Sequence, residues 1–570
     1  MTNPIENLVR PKVRIESVSL KNGQTIEFKP NDTVLIVGSN NCGKSQTLRE
    51  IIKICSEGKA GVSKSYIVDN VKLNKTGDVE QLRKFLLMNG QFEHPTFRFK
   101  DWDLHESNLS YWNAEYLLGG LAAGFIRNLT AKERLQICEP QPSVVPGQSM
   151  PKPQQVLKED DALMESISTK FERAFSGKQL FFDPNGGPII PIHVGQKPSN
   201  QLLLQGLGTY SKKVREQPLL NEQGDGMQGY AGILFEAVST DRDVTLVDEP
   251  EAFLHPPQMR RLGTTLAESA DKQLIVATHS SDVLRGVLEG TRGAVRILRI
   301  IRTDSSSQFF EAHASVVKDF WEKPVLKYSN ALESIFHEQA LICEDDSDCK
   351  LFNALADHLE ALGADRFPDT AYVPVGGKHQ APKVASALRM IGVPVKGVFD
   401  IDLLSNKKHF RETVESFGGD WAQFSSDWSL LSKAISKIKP RSVKDIKDEI
   451  LQIIFNSKSS SLPKGDIEEV LRSKTPWSNL KKHGVKALKN GSERAIVFSL
   501  IRKLERIGIY LLIGGQVESY VPTIKLHGPK YVTTLLSEFD LDSPKIRPLL
   551  RLSRRIHRGA CAPLDFTSCN

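Results

Sequence analysis

The chain holds 570 residues, 40% of them hydrophobic and 25% charged, and carries a net charge of +7. That length exceeds one ordinary core and predicts two or more soluble domains. No run of about 18 apolar residues occurs, so no membrane-spanning helix is expected. The start, Met1-Thr2-Asn3-Pro4-Ile5-Glu6, lacks the basic-then-apolar order of a secretory signal. The seven cysteines, at 42, 55, 138, 343, 349, 561 and 569, form no CxxC pair. They argue against structural zinc and a disulfide frame and predict reduced thiols in a cytoplasmic protein.

Along the chain, residues 13–18 and 25–28 alternate as strands, and 33–37 form a continuous buried strand. A glycine-rich turn follows, and residues 46–54 have helical spacing. Residues 60–130 give no clear pattern, and the Pro/Gln/Ser-rich stretch 140–153 reads as an exposed loop. Buried strands return at 244–247, 274–277 and 294–300. A second α/β block begins near Tyr328, with strands at 340–343, 371–375 and 395–399 and a helix over 349–362. Residues 410–507 turn helical and lysine-rich, which predicts an insertion before a last strand at 508–513. Between 431 and 490, 14 Lys and Arg face 6 Asp and Glu, and Lys545, Arg547, Arg551, Arg554, Arg555 and Arg558 crowd the end. Such patches suit a polyanion such as DNA; the plainer reading is a solvated helical surface. The expected domains are 1–325, 326–540 and a basic C-terminal tail over 541–570.

Two constellations carry chemistry. Gly38-Ser39-Asn40-Asn41-Cys42-Gly43-Lys44-Ser45 satisfies GxxxxGKS between a buried strand and a helix. The glycines let backbone amides approach the phosphates of ATP or GTP, Lys44 reaches the terminal phosphates and Ser45 can hold Mg2+. Asp248 ends an apolar run and is placed to hold the same ion. Glu249 can polarise the attacking water, and His279, at the end of the next run, can approach the γ-phosphate. Taken singly, His279 would be an ordinary strand-end cap, and Cys42 reads as a small buried thiol.

The second constellation is acidic. Glu344 and Asp348 follow one apolar run, and Asp400 and Asp402 follow another. With one residue between them, Asp400 and Asp402 face the same way from an extended segment. Hard oxygen ligands at strand ends suit Mg2+ or Mn2+. Two such ions can stabilise both the attacking and the leaving oxygen of a cleaved phosphodiester. Either cluster alone reads as solvated loop carboxylates; the two together favour a metal site.

On these residues the first half resembles the ABC-type ATPases of the SMC/Rad50/RecF group, and in particular the overcoming-lysogenization-defect (OLD) family. The resemblance rests on residues 38–45, on Asp248-Glu249-Pro250-Glu251-Ala252-Phe253-Leu254-His255-Pro256 and on Ala277-Thr278-His279-Ser280. Gln223-Gly224-Asp225-Gly226-Met227-Gln228-Gly229 looks like a signature segment that departs from LSGGQ, and 128–135 looks like the stretch after the family's Q-loop region. The resemblance implies that two chains sandwich ATP, with Gly224 and Gly226 of one facing the phosphate loop of the other. A homodimer or higher even oligomer would follow. The second half resembles a Rossmann-like Toprim domain carrying a basic helical insertion, with Glu344, Asp348, Asp400 and Asp402 matching its acids. Glu518, after Gly514-Gly515, is a further candidate metal ligand, and Lys530, then Lys525, a candidate to stabilise phosphoryl charge. Asp345 stands where the family has glycine, which predicts either an altered turn or an additional ligand.

The whole then implies an α/β, ATP- and Mg2+-dependent DNA endonuclease of anti-phage defence, without a membrane partner. Two alternatives stand beside it. One is an effector held inactive by a second defence protein, such as a retron reverse transcriptase with its small DNA–RNA hybrid. The other is a regulatory ATPase whose Toprim fold only scaffolds nucleic acid. A topoisomerase is disfavoured because Tyr328, Tyr510 and Tyr520 have no nucleophile context, and a primase because no zinc module is present. An SMC protein proper would need a long heptad arm.

Overall fold

The computed structural model describes residues 10–564 except 63, 100–101, 146–149, 151, 240–241, 269–271, 303–305, 324–325, 327–329, 364, 437–442, 458–461, 465–466, 468–469, 472–475 and 489–490. Tyr328, Cys569 and the first six residues therefore lie outside the described residues. The chain divides into two compact units, Met1–Glu322 and Lys323–Asn570. Among the described residues no helix is long and apolar enough to cross a membrane.

The first unit is organised by a six-stranded sheet in the order Ser307–Glu311, Arg296–Arg302, Thr33–Val37, Gln273–Ala277, Val244–Asp248, Ile126–Leu129. All but the first of these run parallel. Strands buried on both faces are largely apolar, and Thr33–Val37 and Gln273–Ala277 are buried at every position, with a polar residue only at their first. The register pairs Asp248 with Ala277 and Ala277 with Ile36. Three strands thus end level, and the loops after them share one edge. A smaller antiparallel sheet joins Val13–Leu20 to Thr25–Glu27 and Val68–Lys75. Gln273, almost fully buried, ties the two sheets by accepting from the Ile15 amide and donating to the Ile15 carbonyl, both at 2.8 Å.

Residues 60–130, which gave no sequence pattern, form a helix at Val79–Asn89 and a three-stranded antiparallel sheet, Gln91–Glu93, Thr96–Phe99 and Trp102–His105. Its strands are three or four residues long, too short to establish a period. The stretch read as an exposed loop at 140–153 contributes a two-residue strand, Gln141–Pro142, and opens the helix Pro153–Glu159.

The second unit holds an all-parallel, four-stranded sheet in the order Thr370–Pro374, Gln339–Cys343, Val395–Asp400, Ile509–Leu512. Helices Asp346–Ala361, Pro529–Glu538 and Arg547–Arg558 share one apolar core with its strands. Between the last two strands the described residues include the helices Ala422–Ser436, Val443–Asn456, Pro476–His483 and Gly491–Arg506.

Within the expected basic tail over 541–570, residues Arg547–Arg558 form a docked helix. Leu549, Leu552 and Ile556 of helix Arg547–Arg558 lie in the core of the unit. Its arginines are largely spent within the chain: Arg554 and Arg558 converge on the buried carboxylate of Asp365, and Arg555 lies 3.5 Å from Glu505. The leucines and arginines alternate at helical spacing, so charge count alone concealed an amphipathic, docked helix.

Candidate functional site

In the first unit the phosphate-binding loop closes on itself. Gly38, Asn41 and Gly43 take positive φ values of 144°, 60° and 109°. A β-carbon at Gly38 would meet the Ile300 carbonyl oxygen at 2.7 Å, so glycine is required there by close approach as well as by conformation. Lys44 opens the helix Lys44–Gly61 and is almost fully buried. Its Nζ donates to the carbonyl oxygens of Gly38 at 2.9 Å and Ser39 at 3.0 Å, which points the ammonium into the loop. Asn40, Asn41, Cys42, Gly43, Lys44 and Ser45 line a cleft of about 660 Å3 that Glu249 also borders.

Beside this cleft burial raises the pKa of Asp248, the Glu249 charge adds to the effect and the Ser45 side chain opposes it. One oxygen of Asp248, Oδ1, is buried with no partner. An orphaned carboxylate oxygen beside a hydroxyl fits a hard cation, so Ser45 and Asp248 are the residues that would hold Mg2+. Bound there with ATP, the ion would neutralise phosphate charge.

Glu249 has a positive φ of 47°, unusual for a residue with a β-carbon. Its carbonyl accepts from Arg134 at 3.0 Å, and burial depresses the Arg134 pKa although Glu251, Asp248 and Glu249 surround it. Glu251, 3% exposed, accepts from the Thr278 hydroxyl at 2.9 Å and the His279 amide at 2.7 Å, and its carboxylate lies 2.9 Å from His279 Nδ1. That bond to Glu251 raises the His279 pKa. Burial opposes ionisation of Glu251, yet the bonds from His279 hold its pKa below the usual carboxylate value. The sequence alone assigns no role to Glu251 or Arg134, although both lie in segments that carry the resemblance.

Gly224 and Gly226 lie at the start of helix Asp225–Ser239 and not among the residues lining the phosphate cleft of their own chain. Gly226 packs on the turn after Asp248, where a β-carbon would meet the Phe253 carbonyl oxygen at 2.5 Å.

In the second unit, Glu344, Asp400 and Asp402 each bring a carboxylate oxygen within 4.8 Å of the others. They sit beyond the C-terminal ends of adjacent parallel strands, where open α/β sheets bind ligands. The Asp400 amide approaches Glu344 Oε1 at 3.3 Å. Asp402 does not continue an extended segment. It falls in the 3-10 turn Ile401–Ser405, and the carboxylates converge because the chain bends after Asp400. Burial, reinforced by Asp400 and Asp402, lifts Glu344 to about 7. Burial, with Asp345 and Asp400, lifts Asp348 to about 8. Burial also raises Asp400, although Lys481 pulls against it. Asp402 Oδ1 is buried without a partner. Crowded oxygens with an orphan among them fit a divalent cation, and Glu344, Asp400 and Asp402 would hold it. Such an ion would supply charge to stabilise oxygens of a phosphodiester.

Asp345 answers the question its position raised. Its φ of −140° is ordinary extended backbone, so the turn needs no glycine. Its carboxylate caps helix Asp346–Ala361, accepting from the Ser347 and Asp348 amides at 2.8 and 3.1 Å. It caps instead of joining the cluster. Asp348 lies on that helix, and Glu518 accepts from the Gly528 amide at 2.9 Å; neither belongs to the close triad. The charges of Glu344 and Glu518 nonetheless act on Asp348.

Lys530 and Lys525 are exposed, and two other lysines lie against the acidic residues. Lys481 Nζ lies 2.7 Å from Asp400 and 3.4 Å from Asp402, and Lys378 Nζ lies 2.9 Å from Asp402. Lys378 follows Gly376-Gly377 at a strand end, a signal legible in the sequence. Lys481 comes from the insertion and carried none. Its helix docks where Gly515, with a φ of 108°, leaves no room for a β-carbon against the Lys481 carbonyl.

A phosphate loop with a buried lysine, a strand-end Asp-Glu and a histidine on the neighbouring strand end, all at the ends of parallel strands of one sheet, define an ATPase unit of the ABC type. Residues 155–285 match the family described as "AAA domain, putative AbiEii toxin, Type IV TA system". That segment holds the signature-like residues, Asp248, Glu249 and His279. No curated protein matches the chain. Among solved structures, an SMC head bound to the C-winged helix domain of ScpA is similar at 13% identity, covering 52% of this chain and 97% of its own, with a TM-score of 0.34. The Smc head of Pyrococcus furiosus bound to the C-terminal domain of ScpA shows 12% identity, 55% and 99% coverage and a TM-score of 0.33. The Thermotoga maritima SMC head shows 14%, 54%, 100% and 0.29. Scores this low carry no weight in the assignment, which rests on the matched segment and the geometry.

Proposed function

We propose that the chain is an ATP-dependent, metal-dependent DNA endonuclease of the OLD type, acting in anti-phage defence. The observation that carries this reading is the convergence of Glu344, Asp400 and Asp402 oxygens within 4.8 Å at parallel strand ends. The lysines Lys378 and Lys481 lie against the same carboxylates and would meet the phosphate oxygens of a bound backbone. ATP would be held between two chains, the phosphate loop of one meeting Gly224 and Gly226 of the other, which predicts an even-numbered assembly. Lysines of the insertion would hold DNA through its phosphates, a contact that weakens steeply with salt.

The nuclease reading is tested with purified chain, supercoiled DNA and Mg2+. Nicking is expected, and it should vanish with EDTA and in Glu344→Ala while the circular dichroism spectrum stays unchanged. Undiminished nicking by Glu344→Ala would refute the site. A second reading is favoured by the toxin-like description of the matched family: an effector restrained by a partner, for which a reverse transcriptase with its DNA–RNA hybrid is one candidate. Silence of the chain alone, with excess absorbance at 260 nm from co-purified nucleic acid, would favour that reading.

A further inference from the structure

We propose that Glu251 is a positioning residue for ATP hydrolysis, holding His279 in the one orientation that turns its Nε2 to the nucleotide. This rests on the ATPase reading of the first unit. A carboxylate buried to 3% exposure is costly unless its oxygens are satisfied. Here the hydrogen bonds that satisfy it come from one neighbouring strand end. Thr278 Oγ1 donates to Oε2 at 2.9 Å, while the His279 amide donates to Oε1 at 2.7 Å. His279 Nδ1 lies 2.9 Å from that same Oε1. Main chain and ring of His279 are therefore held by the same carboxylate. With Nδ1–H donating to Glu251, only Nε2 remains to meet a phosphate or a water.

The turn that carries Glu251 is itself constrained. Glu249 and Phe253, on either side of it, have positive φ values of 47° and 67°, and the Leu254 amide donates to the Glu251 carbonyl at 3.0 Å. Backbone held in this sparsely populated region is retained where surrounding structure fixes it. The charges of Glu249 and Lys44 both act on the His279 ring. Glu251 thereby couples the turn bearing Glu249 to the strand end bearing His279.

The test is a double-mutant cycle on the full chain, reading steady-state ATP hydrolysis, affinity for a fluorescent ATP analogue and thermal melting. In Glu251→Gln the one carbonyl oxygen can still accept from the His279 amide while the NH2 group donates to the Thr278 hydroxyl, so the variant should fold, and it loses the charge that holds the ring. We expect it to lower kcat by about 10- to 100-fold, the range for lost orienting partners, with KM and analogue affinity changed less than about threefold. His279→Ala should show the same loss, and Glu251→Gln/His279→Ala should be no slower than His279→Ala alone. Losses that multiply in the double variant, or wild-type kcat in Glu251→Gln, would overturn this role while leaving the ATPase reading intact. A wild-type chain that binds the analogue and never turns over ATP would overturn both.

Discussion

Lys44 shows what a single side chain contributes. Its ammonium is buried and bonded to two loop carbonyls, so it is aimed before any nucleotide arrives. Lys44→Ala should abolish binding of a fluorescent ATP analogue and leave the melting temperature within a few degrees; retained affinity would contradict its role. The acidic cluster makes a pH-dependent prediction. Glu344 at about 7 and Asp348 at about 8 sit above the unfolded carboxylate range, so the native state holds protons that the unfolded chain has released. Stability from these groups is therefore full below about pH 4, falls as pH rises toward 8 and levels beyond. In EDTA the melting temperature should drop between pH 6 and 8.5, less so in Asp348→Asn. Mg2+ should raise it more at pH 8.5 than at pH 6; equal increments at both pH values would contradict the metal site. At this scale the sequence was legible where the chemistry is local. The phosphate loop, Asp248, Glu249 and the acidic triad all follow apolar runs. Lys481 was not legible, because it meets Asp402 from 79 residues away, and spacing carries no information across a helical insertion.

Among the elements, long buried strands were readable and short antiparallel ones were not. Residues 34–37 and 274–277 stand out as apolar runs because both faces are covered. The helix Arg547–Arg558 misled for the opposite reason: six basic residues near the end drew attention to charge, while the leucines between them dock the helix. Its anchor is Asp365, whose side chain is 1% exposed and lies 2.7 Å from Arg554. Asp365→Ala should destabilise the chain by about 2 kcal/mol, below the usual 3–5 for a broken buried pair because the arginines reach solvent. Arg551→Ala, on the exposed face, should change stability by less than about 0.5 kcal/mol. Urea unfolding measures both, and equal effects would show that the pair anchors nothing.

In the whole molecule an ABC-type ATPase unit and a parallel-sheet unit bearing an acidic cluster share one chain, and the nuclease role of the second is what remains to be tested. The most direct measurement is Mg2+-dependent nicking of supercoiled DNA by wild type, Asp400→Ala and Lys44→Ala side by side. The account predicts that wild type nicks, that Asp400→Ala is inactive though folded, and that Lys44→Ala alters the rate through loss of ATP. Cleavage by Asp400→Ala at the wild-type rate would contradict it.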